Sequence, residues 1–168
     1  KLAKARGRAL SGIFPASAQK VSAITTSGKP GDEIWLPIAV QGANNVLAFT
    51  FDLTFDAAAL EYQGINYANT LSAAFLLVGG NEVSSGRLRV GGAAFTAPAI
   101  NGDGTLVLVG FKIKSGASGA YPITLDNLRD DIAGATTEAG QILAGIENTP
   151  TPTSTPTPIL QVSPTPNG

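Results

Sequence analysis

Asp52 and Asp56 stand four residues apart in LAFTFDLTFD, and Glu61 follows shortly after. Paired carboxylates of this kind perform acid/base work in glycoside hydrolysis. On an extended strand, however, residues four apart lie ~13 Å from each other. That is too far for either arrangement of a glycosidase pair. The spacing instead describes a solvated polar face, partner-facing and able to receive a basic segment. Asn101, Asp103, Asp126, Asp130 and Asp131 offer oxygen ligands of the kind calcium takes. Their contexts argue otherwise: NGDGT reads as a tight turn with glycine at φ > 0, and DNLRDD as a polar loop. His, Cys and Met are absent, which removes soft-metal sites and the usual pairings of nucleophile and base. The expectation is a non-catalytic chain without metal or cofactor.

The elements that must position these residues read as strands. Hydrophobic residues make up 43% of the 168 and charged residues 14%, enough apolar side chain for a core but too little charge for a solvated helical bundle. In IWLPIAV, residues Ile34, Leu36, Ile38 and Val40 share one face, which turns Trp35 the other way. Trp35 is then either covered by a loop or laid flat over small residues, or a platform for a neighbour's arm or a sugar ring. Phe49, Phe51, Leu53 and Phe55 alternate with Thr50, Asp52, Thr54 and Asp56. Arg87 and Arg89 alternate outward against Leu88 and Val90, and Val107, Val109, Phe111 and Ile113 line one side of TLVLVGFKIK. VSAITT, YPITLDNL and GQILAGI supply further strands, GANN a turn, and DAAALEY a short bend, while INYANTLSAAFLLV is ambiguous. Gly79–Gly80 and Gly91–Gly92 make no phosphate loop and read as turns or close backbone approaches. Eight or nine short strands predict an all-β fold of two packed antiparallel sheets over residues 21–146.

Two segments flank that domain. Residues 1–20 carry Lys1, Lys4, Arg6, Arg8 and Lys20, five of the eleven basic residues, with no acid before Asp32. KLAKARGR with ALSGIF and ASA imitates a signal peptide, but its apolar part is short and broken by glycine, so it is taken as part of the mature chain. It reads as a frayed terminus or as an arm, with Leu10, Ile13 and Phe14, that docks on an acidic neighbour. Residues 147–168 carry TPTPTSTPTP and then ILQV. Thr149–Pro158 in polyproline II would reach about 30 Å at ~3.1 Å per residue. Thr149, Thr151, Thr153, Ser154, Thr155 and Thr157 are candidate O-glycosylation positions on an exported protein. Ile159, Leu160 and Val162 have no use in a linker. Burying each contributes about 1.5–3 kcal/mol, and ordering each of five backbone residues costs about 1–2 kcal/mol. The two nearly cancel, so such a strand needs edge hydrogen bonds, a preformed groove or repetition in a polymer.

The order of motifs resembles the cohesin family. The pieces that carry it are GKPGDEIWLPIAV, NNVLAFTFDLTFDAAALEY, NGDGTLVLVGFKIK, YPITLDNL and GQI, over about residues 21–146. The resemblance implies a β-sandwich of jelly-roll topology and a non-catalytic module that binds a partner through one sheet face. In cellulosomes that partner is a dockerin. The chain itself has no duplicated calcium loop, so it is not a dockerin, and the two flanking arms are no part of the cohesin pattern.

Three functions are consistent with these residues. The first is an extracellular or cell-surface structural protein that joins copies of itself through its arms into a filament or tube. The second is an adhesion or scaffold module for a dockerin-like or other protein. The third is a carbohydrate-binding module in which Trp35 with Tyr62 or Tyr67 stacks on a glycan. Nucleic acid is not an expected partner, because the basic residues concentrate in one short arm without aromatic platforms. No apolar stretch approaches the ~20 residues of a transmembrane segment.

Overall fold

The computed structural model describes residues 19–145, and among these there are eleven strands and no α-helix. In chain order they are β1 Lys20–Ala23, β2 Thr26–Gly28, β3 Glu33–Val46, β4 Ala48–Thr54, β5 Leu60–Asn66 and β6 Leu77–Ser84. There follow β7 Arg87–Ala93, β8 Ile100–Ile113, β9 Gly119–Asp130, β10 Thr136–Glu138 and β11 Gly140–Ala144. One sheet has the order β10-β1-β3-β8-β5 and the other β2-β11-β9-β4-β7-β6. The two pack face to face as a sandwich of jelly-roll type.

The alternation in the sequence decides which side of each strand turns inward. Leu36, Ile38 and Val40 of β3, Phe49, Phe51 and Leu53 of β4, and Val107, Val109, Phe111 and Ile113 of β8 are all 0–1% exposed. They meet across the middle of the sandwich, where Phe55 packs edge-on to Phe111 at 5.0 Å between ring centroids. Each large buried side chain of this kind contributes about 1.5–3 kcal/mol by leaving water.

Glycine-rich stretches depart from the turn assignments. GANN and NGDGT, expected as turns, lie inside the long antiparallel pair β3–β8, whose register shifts three times between Ile38 and Val46. Gly42, Asn45 and Gly102 take positive φ there, so the turn-forming residues serve bulges that bend two long strands around the core. Gly79–Gly80 and Gly91–Gly92 likewise lie inside β6 and β7, with Gly79 opposite Gly91, Gly80 opposite Val90 and Gly92 opposite Val78. Of their two expected roles the turn is excluded, and Gly91 does meet a close backbone, the Phe49 carbonyl. VSAITT is two strands, not one. β1 joins the first sheet and β2 the second, and β10 and β11 repeat the crossing beside them in parallel pairings. Gly140 sits at that crossing, where a Cβ would collide with the Ala23 carbonyl.

Candidate functional site

The outer face of the β9-β4-β7-β6 half of the second sheet is built in rows, because residues directly opposite in antiparallel strands point the same way. From one end the rows are Ala48–Ala93–Leu77, then Thr50–Gly91–Gly79, then Asp52–Arg89–Asn81, then Thr54–Arg87–Ser84. β9 adds Arg129 beside Thr50 and Asp126 beside Asp52.

Asp52 lies at the centre of the third row and is 1% exposed. Arg89 donates to it through Nε at 2.7 Å and Nη2 at 2.9 Å, a bidentate clasp. Arg87 donates through Nε at 3.2 Å and Nη2 at 3.0 Å, and its Nη2 also reaches Asp126 at 2.6 Å. Asn127 supplies a fifth hydrogen bond from Nδ2 at 2.9 Å. It can do so because β9 bulges opposite Phe51 and Asn127 takes φ 51°. The Arg89 hydrogen bonds chiefly, with those of Asn127 and Arg87, hold the Asp52 carboxyl well below the usual carboxylate range despite burial acting the other way. The same bonds raise both guanidinium groups above their ordinary value.

The opposite end of this face is apolar. Leu76 and Leu77 are 70% and 58% exposed, Phe95 68% and Leu47 45%. The Ala94 amide bonds the Leu47 carbonyl at 2.8 Å, which brings the ends of β7 and β4 together. Phe95 follows with φ 46°, a backbone state that costs a bulky residue about 1–3 kcal/mol and is held only where structure enforces it. Between the apolar end and the charged rows, Gly79 and Gly91 leave a strip with no side chain, and a Cβ on Gly79 would meet nothing within 4 Å.

The outer face of the first sheet is different. Its rows are Glu33–Lys112–Glu61, Trp35–Gly110–Gly64 and Pro37–Leu108–Asn66. Trp35 lies flat over Gly110, where a Cβ would come within 2.9 Å of its ring.

A model of the cohesin domain family matches residues 20–142. The chain belongs to the cohesin family. No curated protein sequence matches it. Among solved structures, the sixth cohesin of scaffoldin B from Acetivibrio cellulolyticus, crystallised in complex with a dockerin, is similar at TM-score 0.65 and 22% identity. That match covers 76% of this chain and 99% of the other. A non-cellulosomal cohesin from the archaeon Archaeoglobus fulgidus aligns at TM-score 0.62 and 22% identity, over 76% and 91% of the two chains. A cohesin of Clostridium acetobutylicum solved in solution gives 0.59 and 24%, over 76% and 90%.

Within this cohesin domain the candidate residues of the sequence fall in unlike places. Asp52 is outward as expected but is no solvated carboxylate, because the two arginines and Asn127 cover it. Asp56 lies beyond the end of β4, in the turn, where its Oδ1 accepts the Ala58 amide at 2.8 Å. The two therefore form no carboxylate pair. The oxygens considered for calcium are engaged with the chain itself. Asn101 accepts the Asn45 amide at 2.8 Å, Asp103 the Gly42 amide at 2.6 Å, and Asp131 the Leu47 and Ala48 amides at 2.8 and 3.0 Å. Asp130 accepts the Thr50 hydroxyl at 2.7 Å. These side chains staple the bulges of the cohesin fold. Trp35 lies over Gly110 with its other side open to solvent. Tyr62 turns to the Gly80 carbonyl at the sheet edge, and Tyr67 lies near Trp35. Leu10, Ile13, Phe14, Ile159, Leu160 and Val162 lie outside the described residues, as do Thr149, Thr151, Thr153, Ser154, Thr155 and Thr157. Leu76, Leu77 and Phe95 were missed, since INYANTLSAAFLLV is ambiguous as sequence and RLRVGGAAF reads as one alternating strand. The one signal was that FLLV, and the AAF end of the second stretch, break strict alternation.

Proposed function

We propose that this cohesin is a non-catalytic protein-binding module that works outside the cell or on its surface, and that the β9-β4-β7-β6 face takes its partner. One observation carries the reading: a flat glycine strip joins an exposed apolar end to a fixed, fully paired charge cluster. Apolar anchors supply binding energy while oriented charge supplies specificity. The strained Phe95 backbone fits a side chain held out for a partner. A dockerin is the partner class to test, because several structurally similar cohesins were solved with one. Titration of the isotope-labelled chain with a panel of dockerins should perturb amides of β4, β6, β7 and β9. Phe95→Asp should weaken binding more than tenfold. Perturbations confined to the first sheet would overturn the assignment of the face.

A second reading is self-association through the terminal arms into a filament or tube. Its support is β6, which stands at the edge of its sheet with β7 on one side. A strand such as Ile159–Ser163 of another copy, bounded by prolines, has the length to add there. O-linked sugar on the Thr/Ser positions of the tail belongs instead to the protein-binding reading, with the tail as a linker, and mass spectrometry of the native protein would detect it. Replacing Leu160 and Val162 with Asp should abolish large species in light scattering and electron microscopy. Polymers that persist would end the self-association reading.

A further inference from the structure

The first sheet carries a groove that partner binding at the opposite face leaves unused. It measures about 500 Å³ and is lined by Trp35, Ile65, Asn66, Tyr67, Ala68 and Ala73. None of these is charged, and Pro37 and Leu108 extend its apolar floor along the next row. Trp35 is the single tryptophan of the chain, and 44% of it is open to solvent.

The described residues end at Gly145, against the turn that precedes β3. Gly145 donates its amide to the Gly28 carbonyl at 2.8 Å and packs beside Pro30. Pro30 opens the turn that leads into β3, and Trp35 is five residues on, about 17 Å along extended chain. Residues 146–150 can span the same distance at ~3.3–3.6 Å each. TPTPTSTPTP, residues 149–158, therefore begins within reach of the groove. Alternating prolines bias such a sequence to polyproline II, which loses little entropy on docking and is taken by aromatic-lined grooves. Neither the run nor the groove lining carries a charge that docking would have to desolvate.

We propose that the Trp35–Tyr67 groove holds the Thr149–Pro158 segment of the same chain. The segment then leaves the domain along a fixed path, and whatever follows residue 158 is presented at a set point. The proposal stands whichever reading of the opposite face holds, with the Thr and Ser hydroxyls of this segment unglycosylated.

Trp35 reports on its own occupancy. In the full chain, acrylamide quenching of its fluorescence should be slow and independent of protein concentration. Replacing Pro150, Pro152, Pro156 and Pro158 with Ser touches no residue of the sandwich. It should raise the quenching constant about twofold and shift the emission to the red, as the ring loses its apolar cover. A free peptide of residues 149–158 added to that variant should restore protection. Equal quenching in the two chains would overturn the proposal. Protection that disappears on dilution would also overturn it, by placing the segment on another copy.

Discussion

On the β9-β4-β7-β6 face a carboxylate is buried beneath two guanidinium groups, whereas on the β3-β8-β5 face a tryptophan lies over a glycine. Both cover sheet that would otherwise meet water, and the covers have opposite consequences. Five hydrogen bonds to Asp52 fix Arg87, Arg89 and Asn127 in one arrangement. That face presents charges whose positions are set before any partner arrives. The Trp35 ring has no polar tie among the described contacts and rests on van der Waals contact alone. Its exposed side accepts any apolar group of suitable shape. Pre-set charge suits a specific folded partner, and an open aromatic floor suits an extended segment of low complexity.

The largest test of this contrast is Asp52→Asn. It replaces the charged acceptor of five hydrogen bonds by a neutral amide and should cost about 1.5–3 kcal/mol in urea unfolding at neutral pH. The pH dependence has a defined sign. The folded-state pKa of Asp52 is depressed relative to an unfolded value of about 3.9. The stability it contributes is therefore full above about pH 5 and lost as pH falls below about 4. The gap between parent and variant should stay constant from neutrality to about pH 5 and narrow in acid. A gap that closed toward alkaline pH would break the comparison.

Gly110→Ala comes next. Its Cβ would lie 2.9 Å from Trp35 Cζ3 and 3.1 Å from Cη2. The ring must tilt away, at a cost of about 1–2 kcal/mol, and the fluorescence should shift to the red. An unchanged spectrum would show that the ring does not rest on that glycine. Gly79→Lys should leave stability within about 0.5 kcal/mol, because the new side chain enters open space. The same change should weaken dockerin binding more than tenfold if the glycine strip is the contact surface. The smallest effect is expected at Lys20→Ala. It removes the 2.7 Å pair with Glu138, but exposed ion pairs of this kind contribute little. No shift in the urea midpoint is expected, and a clear one would mark the β1–β10 edge as more than a solvated rim.

The sequence was most legible where one physical rule acted alone. Ile34, Leu36, Ile38 and Val40 were assigned to one face by period two, and the fold buries them, Ile34 at the margin. Arg87 and Arg89 were correctly turned outward by the same rule. It failed where glycine had two meanings. Gly42 and Gly102 suggested turns, because positive φ is common to turns and bulges. Only the pairing of β3 with β8 decides between the two.

The site divides in the same way. From spacing alone, Asp52 looked like a free carboxylate on a solvated face, because alternation gives direction but not depth. Burial came from Arg87 and Arg89, thirty-five and thirty-seven residues later, and from a bulge at Asn127. Leu77 and Phe95 lie in stretches whose pattern assigns them no face, and the fold leaves both exposed although they are apolar. Residue type reports what a side chain prefers, and the register of neighbouring strands decides whether it is given it.

By itself, then, the sequence determined the class of fold, the inward face of each main strand and the family, since all of these follow from local alternation and motif order. The tertiary structure decided which outward residues act together. Contacts between strands far apart in the chain depend on register, and a shift of one residue would turn every side chain to the other face. For that reason the Asp52 clasp, the glycine strip and the Trp35 groove became visible only when the sheets were assembled.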